Sequence, residues 1–218
     1  MIKNIFKAVL MGLGGLMALL ITIAIFADLP EAPPSASQPA AVAPVTVTPV
    51  ASTPVTPARP APPSLPADQQ GFVAAVAKAA ADYAAGANEM AKGATRPQRA
   101  KAICAVMKAL TIRDWIGTVE TLSSNSDGKG VLAVRVSREA TMKTWNNAVS
   151  DTGDRTLIEP GSPVFQAAVA MRRGATVRFS GTVFRSDVDC VKEASVTISG
   201  SMRDPEFILR FTAISAVE

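Results

Sequence analysis

The chain has 218 residues, of which 48% are hydrophobic and 18% charged, with a formal net charge of +4. That is long enough for one compact domain plus extra segments, and too apolar for a chain disordered throughout. It has no histidine and two cysteines, which excludes Ser-His-Asp and Cys-His catalysis, histidine metal sites, four-thiolate zinc and iron–sulfur clusters.

Ala8 to Ala27 is a run of twenty residues without a charge, and as a helix it would span ~30 Å of hydrocarbon. Lys3 and Lys7 precede it, Asp28 and Glu31 follow, and the next basic residue is Arg59. This asymmetry puts the N-terminus in the cytoplasm and the remainder across the membrane. A cleaved signal peptide is the alternative, but its apolar region usually runs only ~7–15 residues, and Ile25 would sit three residues before a cut after Ala27. Residues 1–27 are therefore expected to be an uncleaved transmembrane signal anchor. No cysteine lies near the end of the run, so lipoprotein processing is excluded. Gly12, Gly14 and Gly15 lack the G-x-x-x-G spacing and read as ordinary membrane-helix glycines.

Residues 28–67 are rich in Pro, Ala, Val, Thr and Ser. Twelve of the 16 prolines lie between Pro30 and Pro66, and Pro39, Pro44, Pro49 and Pro54 recur at a fixed interval. Such a composition cannot bury a core and favours extended polyproline II, reaching about 120 Å at ~3.1 Å per residue. The segment reads as a linker holding a domain away from the membrane.

Residues 68–218 carry 19 Lys and Arg against 16 Asp and Glu, too small an excess for a strong nucleic-acid footprint. Gln70 to Lys92 is Ala-rich, with Phe72, Val76, Ala80 and Tyr83 at helical spacing. Thr95 is placed as an N-cap with Pro97 in the first turn, and Ile103, Val106, Met107 and Leu110 form an apolar stripe. Arg96, Arg99, Lys101 and Lys108 on that helix read as a solvated face.

From Arg113 the period changes to two. Trp115–Leu122, Val131–Val136 and Thr141–Trp145 are expected strands, with an Asp-Gly turn in Ser123–Gly130. Asn146–Gly161 is a polar loop. Ser162 caps a short helix with Pro163 in its first turn and Phe165, Val169 and Ala170 as its buried side, and Gly174 ends it. Ala175–Phe184, Ser195–Ser199 and Glu206–Ile214 are expected to complete the strands. The fold class is a β-barrel of OB-fold-like order, β-β-β-α-β-β, with one extra strand and two preceding α-helices. The domains are then the anchor at 1–27, the linker at 28–67, a helical segment at 68–110 and the barrel at 111–218.

Three segments, W115-I-G-T-V119, G174-A-T-V-R-F-S-G181 and G200-S-M-R-D-P-E-F-I-L-R-F211, resemble the tRNA-anticodon-binding-like OB-fold family, including exported proteobacterial members. The resemblance covers about residues 111–214. It rests on barrel glycines and apolar positions, so it implies a fold, and nucleic acid only by structural analogy.

Cys104 and Cys190 are expected to pair in an oxidising compartment, pinning the second helix to the loop Arg185–Glu193. Two free thiols or a redox pair are the alternatives, the latter without its usual C-x-x-C. Asn125, Asp127 and Gly128 lack the remaining ligands of a calcium loop and read as a turn. Asp187 and Asp189 with Glu193 could offer a weak divalent-cation site, but these, like Asp151 and Asp154, read as solvated loop carboxylates, and no metal site or cofactor is expected. Trp115 is assigned to the core. Trp145, with Lys143, Arg135 and Asn146 nearby, is the candidate ligand site, since OB barrels bind on this face and an aromatic among cations could stack bases or sugar rings. Packing of Trp145 under the polar loop is the competing reading.

No nucleophile–base pair stands out, so the expectation is a non-enzymatic binding or scaffold module. It would stand in the periplasm on a single-pass anchor in the bacterial inner membrane, with an envelope protein, peptidoglycan or a small ligand as partner. The alternatives are a single-stranded nucleic-acid binder, which the mild charge does not favour, and a TonB-type transducer, whose linkers usually carry the charges this one lacks.

Overall fold

The computed structural model describes residues 64–217. The expected anchor at 8–27 and nearly all of the linker at 28–67 lie outside the described residues. Among the described residues no helix is long and apolar enough to cross a membrane.

Three helices come first: α1 (Ala67–Ala85), α2 (Glu89–Gly93) and α3 (Thr95–Val106). Strands β1 (Thr111–Ser124), β2 (Gly130–Ser137) and β3 (Ala140–Lys143) follow, then α4 (Pro163–Val169) and β4 (Thr176–Val183). A small hairpin, β5 (Arg185–Ser186) and β6 (Cys190–Val191), precedes α5 (Ile198–Arg203) and the long β7 (Glu206–Ala216).

Five strands form one mixed sheet curled into a barrel-like ring, β1-β2-β3-β7-β4 and back to β1. Its neighbours are antiparallel except β3 and β7, which run parallel and meet at only three residue pairs, Thr141–Glu206, Met142–Phe207 and Lys143–Ile208. The ring is therefore not evenly closed. A bulge between Ile112 and Trp115 and another between Val119 and Thr121 bend β1 around it, as bulges do by locally raising strand twist. Close approach also demands glycine here: a Cβ on Gly117 would lie 2.6 Å from the Arg135 carbonyl oxygen, and one on Gly181 2.6 Å from that of Arg210.

The expected helix over Gln70–Lys92 is two helices. Gly86 ends α1, and the side chain of Asn88 accepts from the Ala91 N–H to start α2, an N-cap preference strong enough to interrupt an Ala-rich run. Thr95 is not a cap: Ala94 occupies that position, and the Thr95 hydroxyl donates to the Lys92 carbonyl. The expected strand Ser195–Ser199 is also replaced by helix. Thr197 caps α5 by accepting from the Gly200 N–H, and its flanking Val196 and Ile198 are exposed, so the β-branched run has no core to face. The loop expected at Arg185–Glu193 instead forms the β5–β6 hairpin, a separate two-stranded sheet outside the ring. Ser162 caps α4 as expected, accepting from the Phe165 N–H, but the helix ends at Val169, short of Gly174, and buries Val164 and Ala168 while Val169 and Ala170 are exposed.

The barrel interior and the helical layer share one core. Trp115 is fully buried, 5.2 Å from the Phe72 ring of α1, and Phe72 in turn lies 4.9 Å from Phe207 of β7. Ile103 and Met107 of α3 join them. α1 is registered on β1 by polar contacts: the Gln69 side chain accepts from the Ile116 N–H and donates to the Ile116 carbonyl, and Asp68 accepts from the Trp115 indole. α3 is fastened to the hairpin by the disulfide Cys104–Cys190, whose Cα atoms lie 5.6 Å apart across 86 residues of sequence.

Because that loop is long, reducing the disulfide or replacing both cysteines with serine should cost about 4.5 kcal/mol on the chain-entropy model. Urea unfolding with and without reductant checks this, and an unchanged midpoint would contradict a stabilising bridge.

Candidate binding groove

The outward side chains of β1, β2 and β3 line a polar groove of about 510 Å³. Strand alternation sends Val131, Ala133 and Arg135 of β2 and Lys143 of β3 to this face, while Leu132, Val134 and Met142 point into the core. Glu120 and Thr121 of β1 form one wall, Asp204 and Glu206 at the start of β7 the other, and Arg173 with Asn146 stands at the rim.

The charges are arranged in opposed pairs. Arg135 donates to Glu120 at 2.6 Å and to Asp204 at 3.1 Å. Burial opposes its charge, but the hydrogen bonds to Glu120 and Asp204 outweigh this and hold the guanidinium above its ordinary range. Lys143 is buried along its stem and reaches Glu206 at 2.9 Å. The second Glu120 oxygen accepts from the Thr141 hydroxyl. Arg173 is exposed and has no carboxylate within ion-pair distance among the described residues. The groove thus offers three cations and three carboxylates, with hydroxyls from Thr121, Ser123 and Ser124 between them.

Of the four candidate residues, Arg135, Lys143 and Asn146 converge on this groove and Trp145 does not line it. β3 ends at Lys143, so strand alternation no longer directs the side chain at 145. The Trp145 indole donates to Asp154 at 2.9 Å and its backbone N–H to the Thr156 hydroxyl, anchoring the polar loop. The four remaining charged residues of the groove, Glu120, Arg173, Asp204 and Glu206, were not visible as a set. Asp204 and Glu206 enter from the far end of the chain, and the bulge after Val119 obscures the outward face of β1.

Of the carboxylates expected to be solvated, Asp187 is exposed, while Asp154 and Asp189 are buried and Asp151 and Glu193 partly so. Asp154 accepts from both the Trp145 indole and the Lys192 ammonium. Asp151 accepts from the backbone N–H groups of Thr156 and Leu157. Asp189 and Glu193 lie under α3, facing residues assigned to a solvated helix face. Arg99 is 1% exposed and donates to Asp189 at 2.7 Å; Arg96 makes a two-bond contact with the same carboxylate. Arg99 also donates to the Ser201 carbonyl and lies 5.8 Å from the Phe207 ring centre. Burial would raise the Asp189 pKa, but the hydrogen bond from Arg96 and the charges of Arg99 and Arg96 hold it below the carboxylate norm. The Asp189 hydrogen bond, with the charges of Asp189 and Glu193, raises that of Arg96 against its own burial. This cluster is a clamp between α3, the hairpin and α5.

No family model matches this chain, and no curated protein matches it.

Asp189→Asn would leave two guanidinium groups short of charge and should cost about 3–5 kcal/mol, read from the urea midpoint. In the wild type, the folded carboxylate binds its proton less tightly than the unfolded one. Its contribution is therefore complete above the ordinary value of 3.8 and drains away as pH falls below it. The variant should lose less stability over that acid range; equal acid slopes would remove Asp189 from the clamp.

Proposed function

We propose that this protein is a non-enzymatic binding module of the bacterial cell envelope, an OB-fold-like barrel carried on a Pro-rich arm by an inner-membrane anchor. The observation that carries the binding role is the mixed-charge groove across β1, β2 and β3. The ring order, the parallel β3–β7 seam and the helix between the third and fourth barrel strands support the OB assignment. The Cys104–Cys190 bridge supports an exported domain, since structural disulfides persist in oxidising compartments. The apolar run at 8–27 and the basic residues before it support the anchor.

The groove chemistry favours a polar ligand carrying both signs of charge. Glu120, Asp204 and Glu206 would repel a phosphate backbone, and no aromatic ring lines the groove to stack a base or a sugar. An envelope protein, offering amide donors, acceptors and charged side chains together, fits this surface better than nucleic acid.

A photo-crosslinking residue at Asn146, on the groove rim, should give a discrete adduct in intact cells. Arg135→Glu should abolish that adduct by breaking both carboxylate contacts. The same probe at Val196, 98% exposed on the loop before α5, should give none. Identical adducts from both positions, or one insensitive to Arg135→Glu, would sink the groove as the binding site.

A further inference from the structure

β1 is longer than its partner on one side. Its pairing with β4 ends at Thr118–Thr176, and the segment leading into β4 adds only the bonds between Val119 and the backbone of Gly174 and Ala175. On the other side β1 continues to pair with β2 through Ser124–Gly130. From Glu120 to Ser124 the strand therefore pairs with β2 alone, leaving a free edge about 15 Å long.

That edge faces a second cavity. An apolar cleft of about 350 Å³ lies between the end of the β1–β2 hairpin and α4, lined by Leu122, Leu132, Ile158, Phe165, Val169 and Met171. Ser123, Ser124 and Val131 line this cleft and also the polar groove. The two cavities thus occupy opposite faces of the same strand end and meet around its unpaired edge. Val169 is 68% exposed on the helix across the cleft, an apolar side chain with nothing in the described residues covering it.

We propose that the partner of this site is an extended peptide segment that adds as a strand to the free edge of β1 at Glu120–Ser124, alternating apolar and charged side chains. Strand geometry supplies the alternation. Successive side chains of an added strand point to opposite faces, one set toward the cleft under α4 and the other toward the near end of the groove at Glu120 and Arg173. Main-chain hydrogen bonds to the edge would supply affinity, and the two pockets would supply selectivity. A lipid or fatty acid could fill the apolar cleft, but its anionic head would meet Glu120, Asp204 and Glu206 as well as the cations. A peptide with both signs of charge is complementary to the whole rim. This inference rests on the groove being a binding site and adds the chemistry and direction of its ligand.

The test is selection of a displayed library of random nine-residue peptides on the oxidised full-length protein, followed by amide hydrogen exchange with the best synthetic peptide. Selected peptides should alternate apolar and charged positions, and binding should slow exchange within residues 120–124. Val169→Glu should weaken binding by about tenfold or more by putting a charge into the cleft. Val169→Leu should retain it, and both variants should keep the wild-type melting temperature because Val169 is exposed. Peptides without alternation, binding indifferent to Val169→Glu, absence of protection at 120–124, or failure to select any peptide would each overturn the proposal. The Asn146 adduct separates the two readings. If it forms and responds to Arg135→Glu while no peptide protects the edge, strand addition falls alone. If peptides protect the edge and the adduct is absent, the groove assignment falls instead.

Discussion

A guanidinium taken out of water must find a carboxylate, and in this protein that requirement joins the helical layer to the barrel. Arg99 is buried beneath α3 with Asp189 as its partner, and the carboxylate is shared with Arg96. Cys190, the next residue after Asp189, is bonded to Cys104 on the same helix as both arginines. The covalent bond and the ion pairs therefore hold the same two elements from adjacent positions. Such a buried ionic cluster is weak evidence for stability in itself, because desolvation cancels much of the attraction. Its consequence is positional: α3 has one place on the hairpin where Arg96 and Arg99 both meet Asp189, and α1, packed on α3, is carried with it onto Trp115 and Phe207.

With that end of the barrel occupied by helices, the chemistry available to a partner lies elsewhere, along β1, β2 and β3. There the same rule operates more loosely. Arg135 is paired at a partly solvated position, where such an ion pair is worth ~0–1 kcal/mol, and the buried Lys143 stem ends on the half-exposed Glu206. A partner can replace such contacts with its own at small cost, which the buried Arg99–Asp189 pair does not permit. The contrast separates the clamp from the groove on energetic grounds: both are clusters of arginine and carboxylate, and only one is exchangeable. The groove also continues around a strand edge into an apolar cleft, so the exchangeable polar surface and an unfilled apolar one adjoin.

Much of the barrel was legible from the chain because its signals are local. Alternation marks β1, β2, β4 and β7, the Asp-Gly turn separates the first two, and Ser162 with Pro163 announces α4. The break at Gly86 and Asn88 and the misplaced Thr95 cap are local, but the other failures share a cause: residues whose role depends on partners distant in sequence. Val196 and Ile198 have strand-like composition, yet no sheet receives them and Thr197 caps a helix instead. Arg99 has the spacing of a helix surface, but the surface above it is covered by a hairpin about ninety residues later. Asp189 and Asp154 look like loop carboxylates until Arg96, Arg99 and Lys192 are brought against them.

The candidate site divides in the same way. Arg135 and Lys143 share a face because period-two geometry places outward residues of neighbouring strands side by side, and that much follows from the amino-acid sequence. Asp204 and Glu206 join them only because β7 closes the ring beside β3, a parallel pairing that no local pattern announces. The chain by itself determined the candidate anchor, the Pro-rich composition, the alternating stretches that become β1, β2, β4 and β7 and the availability of two cysteines, since each depends on residue chemistry or short-range periodicity. Tertiary structure alone decided which charges are buried, where Trp145 goes and which length of β1 is left without a neighbour. Those outcomes depend on what covers a residue, and the covering elements come from the other end of the chain.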